Sequence, residues 1–169
     1  MKNLWAPWRM TYIQGEDELA KTRGCIFCVD QDKAGPDKDR LILWVGRLTL
    51  VMMNRYPYNN GHLLVAPRRH VPDISDLDEG EMTDLLRLVR SSIEIFRKDS
   101  SPHGFNVGLN LGVVAGAGVA DHLHFHLVPR WHGDTNFMTV LGEVRVVPEH
   151  IQASYDRLLS HYQALRDRT

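Results

Sequence analysis

Cysteine is nearly absent: Cys25 and Cys28 are the two in 169 residues. A fold built on disulfides is excluded, and in a reducing compartment the spacing in "GCIFCVD" reads as a metal pair or a redox pair. Two small buried apolar residues are the plainer alternative. No apolar run approaches the roughly 20 residues of a membrane span. The opening "MKNLWAPWRM" has no continuous apolar stretch of the secretory kind, so a cytoplasmic location is expected and no membrane partner. An excess of one charge is missing too: 20 basic and 21 acidic residues leave a formal charge of −1. No long-range field draws in nucleic acid or an anionic surface, and an anionic ligand has to be held by local groups. Internal repeats and low-complexity tracts are also lacking.

What is present is a chain that can build a core: 43% of its residues are hydrophobic, at a length that suits one domain. Short β-rich runs stand at 41–45 ("LILWV"), 48–53 ("LTLVMM") and 62–66 ("HLLVA"). Turn signals separate them, which predicts an antiparallel meander. From 78 to 98 the period changes, with Met82, Leu85, Leu86, Val89, Ile93 and Phe96 at helical steps. Asp78 and Glu81 are spaced as a capping box. "GFNVGLNLG" (104–112) and the run from 122 read as neighbouring strands joined by the glycine-rich "VVAGAGVAD". "EVRVV" (143–147) reads as a further strand. Pro148 opens a last helix with Ile151, Tyr155, Leu158, Tyr162 and Leu165 on one stripe. The order predicts an α+β fold with an antiparallel sheet.

Histidine is abundant, nine in all, and His122, His124 and His126 alternate within "HLHFHLV". On a strand, alternate residues share a face, roughly 6.5–7 Å apart, too far for three to converge easily on one metal. Three readings stay open: a solvated face, a metal site from two of the histidines, and a neutral imidazole that attacks an electrophile while its neighbours orient it. The upstream glycines, Gly116 and Gly118 among them, offer backbone N–H groups that suit phosphate oxygens. Together with the histidines they point to a phosphoryl or nucleotidyl substrate.

"HLHFHLV" resembles the signature of the histidine triad family. "NRYPYNNGHLLVAPRRHVPDISDL" (54–77) is similar to that family's first region, and "LNLGVVAGAGVADHLHFHLVPRW" to its second. "CIFC" is similar to the cysteine pair of zinc-bearing members. "LWAPWR" and "PRWHGDTNFM" resemble the branch that includes diadenosine tetraphosphate phosphorylases. The resemblance implies a sheet of about five strands with two main helices, commonly as a homodimer. It divides the chain into an N-terminal extension (1–24), a core (25–147) and a C-terminal helix (148–169) within one domain.

The resemblance also implies roles. His124 would attack an α-phosphorus and form a nucleotidyl-histidine intermediate, resolved by water, orthophosphate or another acceptor. His126 would contact a phosphate oxygen or assist the leaving group. Asn110 would touch the phosphates, His62 would lie near the nucleotide and Asn54 would approach the ribose. Cys25, Cys28, His70 and His122 would hold a structural zinc. A nucleophilic imidazole must have its tautomer fixed, and an adjacent backbone carbonyl accepting its other N–H would do so. One departure stands out: many members carry Gln-Ser or Gln-Thr shortly before the triad, and this chain has Gly118-Val119. The loss of two polar groups leaves room for a second phosphate. The expected activity is cleavage of dinucleoside polyphosphates by orthophosphate. Hydrolysis, phosphoramidase activity and non-catalytic nucleotide binding are the alternatives.

Overall fold

The computed structural model describes residues 24–30, 32–134 and 149–166. The strand foreseen at 143–147 and the segments "LWAPWR" and "TNFM" lie outside them. The elements are β1 (Ile42–Val45), β2 (Thr49–Met53), β3 (Leu63–Pro67), helix α1 (Glu79–Asp99), β4 (Gly104–Leu109), β5 (Phe125–Arg130) and helix α2 (Ile151–Arg166). The strands form one five-stranded sheet in the order β1-β2-β3-β5-β4, and every neighbouring pair is antiparallel. No helix among the described residues is long and apolar enough to cross a membrane.

Strand alternation divides the core into two layers. Leu43, Val51, Met53, Leu63, Val65 and Leu127 pack with Leu85, Leu88, Val89 and Phe96 of α1 and with Tyr155, Leu158 and Tyr162 of α2. The opposite face carries Ile42, Val45, Leu50, Met52, Leu64 and Ala66, and among the described residues Phe27 from the cysteine loop packs there. Register sets His126 beside Leu64 and so on this second face.

Helix α1 starts where its capping box predicts. The Asp78 side chain accepts the Glu81 amide at 2.8 Å, and the Glu81 carboxylate accepts the Asp78 amide at 3.0 Å. Its buried stripe is rotated from the sequence reading. Leu86 is 52% exposed, while Leu88, Ser92 and Ile95 are buried. Ser92 escapes a hydrophobicity pattern because its hydroxyl is satisfied inside, against the Leu88 carbonyl and the Tyr162 hydroxyl. Two strand ends also differ from expectation. β4 stops at Leu109, and β5 begins only at Phe125. His122 and His124 therefore precede the strand, on a segment tied to the end of β3 by the Leu123 amide donating to Val71 O at 2.7 Å.

Candidate active site and metal centre

The three alternating histidines keep to the sheet's second face: Phe27, packed there, meets the rings of both His122 and His124, and His124 meets His126. His122 is buried, and its Nε2–H donates to the Pro67 carbonyl at 2.9 Å. Its Nδ1 lone pair is thereby left facing Cys25 Sγ at 3.2 Å, Cys28 Sγ at 3.8 Å and His70 Nδ1 at 3.2 Å. Cys28 Sγ lies 3.3 Å from His70 Nδ1. Burial lowers the His122 pKa to about 4, so its ring stays neutral. The four ligand atoms lie within 4.8 Å of one another. Around a tetrahedral zinc, with Zn–S and Zn–N bonds of about 2.3 and 2.05 Å, ligand atoms stand about 3.3–3.8 Å apart. The four separations given, 3.2–3.8 Å, lie close to that spacing, so the donor set is compatible with such an ion. An acceptor carbonyl behind a ligating imidazole is the usual support for a metal-bound histidine.

The cysteine turn is held from behind. The Cys28 amide donates to the Cys25 carbonyl at 3.2 Å. Arg40 Nη2 donates to the carbonyls of Ile26 and Cys28, both at 2.7 Å. Arg68 Nη2 reaches Asp30 O at 2.8 Å.

His124 is protonated on the opposite nitrogen from His122. Its Nδ1–H donates to the His122 carbonyl at 2.8 Å, which leaves Nε2 as the lone pair. Burial lowers its pKa, so the neutral ring dominates at neutral pH. A chain of fixed groups assigns His126. The Asn54 carbonyl oxygen accepts the Tyr56 amide at 2.9 Å, so its Nδ2 points to His62 Nδ1 at 3.3 Å. The Tyr58 amide donates to that same Nδ1 at 3.0 Å. His62 must then carry its proton on Nε2, which donates to His126 Nδ1 at 3.0 Å. Neutral His126 keeps an N–H at Nε2. The site thus pairs a lone pair on His124 with an N–H on His126, with ring centroids 4.9 Å apart.

Gly61 makes this chain possible. It has φ +72°, and a Cβ there would meet Phe96 at 2.8 Å. Only glycine lets the chain turn tightly enough to bury His62 against His126.

The other foreseen residues are held in different ways. Asn54 reaches His62 as described. Asn110, one residue beyond β4, donates from Nδ2 to Gly116 O at 3.4 Å. Gly116 is left-handed, with φ 87°, and its N–H closes a turn on Val113 O at 2.9 Å. That amide is engaged within the loop. Gly118 is exposed. Arg130 pairs with Asp134 at 2.6 Å and also reaches Asn106.

Two aromatic residues at the site were missed in the sequence. Tyr58 stacks on His126 at 5.6 Å and leans on His62 at 4.6 Å; its place in the turn "NRYPYNNGH" was the available signal. Phe27 stacks on His124 at 4.7 Å, and nothing in a C-x-x-C pattern points to its middle residues.

Known proteins resemble this chain in sequence and in fold. AP-4-A phosphorylase of Mycobacterium tuberculosis is 39% identical over 152 residues, 88% of this chain and 78% of that protein. Bis(5'-nucleosyl)-tetraphosphatase [asymmetrical] of Schizosaccharomyces pombe is 39% identical over 88 residues, 52% of this chain and 48% of the yeast protein. The crystal structure of a zinc-bound histidine triad family protein from Mycobacterium smegmatis superposes with a TM-score of 0.61 at 23% identity. It covers 76% of this chain and 88% of that one, a likeness of fold. The HIT domain model matches residues 37–133, a span that takes in β1 to β5, the Gly-His turn and all three alternating histidines. The chain belongs to the HIT domain family.

Proposed function

We propose that this protein is a nucleotidyl-transferring enzyme that cleaves the α-phosphoanhydride of dinucleoside polyphosphates, diadenosine tetraphosphate first among them, with orthophosphate as acceptor. The observation that carries the reading is the bond from His124 Nδ1–H to the His122 carbonyl, which leaves Nε2 with a free lone pair. The identity with the mycobacterial AP-4-A phosphorylase supports the choice of substrate and acceptor.

The steps balance as follows. His124 Nε2 attacks the α-phosphorus, forming a P–N bond while the P–O bond to the leaving nucleoside polyphosphate breaks. His126 Nε2–H donates a hydrogen bond to the departing oxygen and stabilises the charge that develops there, and the Tyr58–His62 relay keeps that N–H on the correct nitrogen. An orthophosphate oxygen then attacks the same phosphorus, the P–N bond breaks, and a nucleoside diphosphate leaves. Diadenosine tetraphosphate yields ADP and ATP. Asn110 and backbone N–H groups of the glycine loop other than the engaged Gly116 amide would face the phosphates.

Cys25, Cys28, His70 and His122 would hold a zinc ion. Two thiolates and two imidazoles leave no open position, so the ion supplies structural constraint. In this reading the chain works as a homodimer.

Water as acceptor is the second reading, favoured by the identity to the yeast tetraphosphatase. A product assay separates the two. With the proposed acceptor, turnover requires orthophosphate and gives ADP with ATP. Formation of AMP with ATP in phosphate-free buffer would make the enzyme a hydrolase.

A further inference from the structure

The cysteine turn does more than present two sulfurs. Between Cys25 and Cys28 it carries Phe27, which is 0% exposed. The Phe27 ring lies on His124 at 4.7 Å with 28° between planes. It meets His122 at 5.1 Å and 49°. These are ordinary stacking and tilted geometries. On its other side His124 meets His126 edge-on, at 65°.

The hydrogen bond to the His122 carbonyl fixes the tautomer of His124 but not its attitude, because a ring can pivot about one such bond. A flat, buried face stops that pivot. The face is in turn held by the metal turn: Arg40 anchors the carbonyls of Ile26 and Cys28, the residues on either side of Phe27. His122 contributes to both centres, with its ring nitrogen toward the sulfurs and its carbonyl toward His124.

We propose that Phe27 is a positioning residue for His124, and that the metal turn sets the attitude of that ring through Phe27 and the shared residue His122. The proposal rests on His124 being the nucleophile. The metal centre then has a role in rate as well as in folding. Loss of the ion loosens the turn, withdraws the aromatic face and lets the imidazole leave its line of attack. Displacement of a reacting atom by about 1 Å lowers rates by roughly a hundredfold.

The test uses Phe27→Leu in the zinc-loaded protein, with Phe27→Met as a second variant of similar volume. Zinc is expected to stay at about one per chain and KM within about twofold, with kcat about 10- to 100-fold lower. A residue that merely fills the core would change the melting temperature and leave kcat unchanged. The second arm needs no turnover. In spectra of the wild-type protein labelled at histidine, the His124 ring protons lie under the Phe27 ring current and should be shifted upfield. They should move downfield in either variant, and also when zinc is removed by a chelator, while signals of Leu127 and Tyr162 stay in place.

Unchanged kcat in a zinc-loaded variant, or His124 signals indifferent to zinc, would overturn the proposal. Movement of the Leu127 and Tyr162 signals together with His124 would overturn it too, because the ion would then hold the whole fold. Should the nucleotidyl-transfer reading itself be wrong, wild-type protein would be inactive on every dinucleoside polyphosphate, yet the spectra would still report the coupling.

Discussion

Two centres share the segment from His122 to His126, and they solve one problem in opposite ways. Each must decide which imidazole nitrogen carries the proton. At the metal end the Pro67 carbonyl takes the Nε2–H of His122 and leaves Nδ1 for the sulfurs. At the reactive end the His122 carbonyl takes the Nδ1–H of His124 and leaves Nε2. His126 is set by a third device, a side-chain relay through His62 to the Tyr58 amide. Chemically identical residues thus have their protons placed by the group behind each ring, and that group is backbone in two cases of three.

The comparison can be broken most severely at His124. Replacing it by Ala should lower kcat by about four orders of magnitude or more, as expected for loss of a nucleophile. Nucleotide binding, read by calorimetry, should persist, and so should the zinc. Next is His62→Leu, which removes the donor to His126 while keeping apolar bulk. The His126 proton can then settle on either nitrogen, and kcat should fall by about 10². Nitrogen shifts of the His126 ring should show mixed tautomers; unchanged kcat would remove the relay from the account.

Cys25→Ser/Cys28→Ser attacks the other end. Metal analysis should fall from about one zinc per chain to none, and stability should drop by roughly 2 kcal/mol, about 4–8 °C in Tm at this chain length. Full stability without metal would contradict the metal centre.

The smallest expected effect lies at the start of α1. The Arg69 guanidinium beside Glu81 holds that carboxyl below its ordinary value of 4.5. A depressed folded-state value stabilises the protein above the ordinary value, and the gain is lost as pH falls through the depressed one. Arg69→Met should therefore flatten the fall in Tm below about pH 4.5 and leave kcat at neutral pH unchanged.

How far the sequence could be read followed from how local each feature is. The five strands of the sheet, helices α1 and α2 and the α1 capping box rest on short-range patterns, and they stand in the structure, while the strand foreseen at 143–147 lies outside the described residues. The rotated α1 stripe did not show in those patterns because Ser92 is buried by a partner 70 residues away, Tyr162. Strand alternation placed the three histidines on one face. It missed that His122 and His124 precede β5, on a segment whose Leu123 amide donates to the Val71 carbonyl, a contact no periodicity carries. The grouping of Cys25, Cys28, His70 and His122 was legible only through resemblance, since 97 residues separate Cys25 from His122. Tyr58 and Phe27 were hidden because an aromatic residue in a turn looks the same whether it packs on a core or on a catalytic ring.

The most direct test of the central claim is to trap the covalent intermediate. Enzyme mixed with diadenosine tetraphosphate in phosphate-free buffer, quenched in alkali to preserve a P–N bond, is digested and mapped by mass spectrometry. The account predicts one adenylyl group on His124, absent in His124→Ala and discharged as ADP when orthophosphate is added before the quench. An adenylyl group on His122, His126 or any other residue would contradict it, as would steady turnover with no adduct on His124.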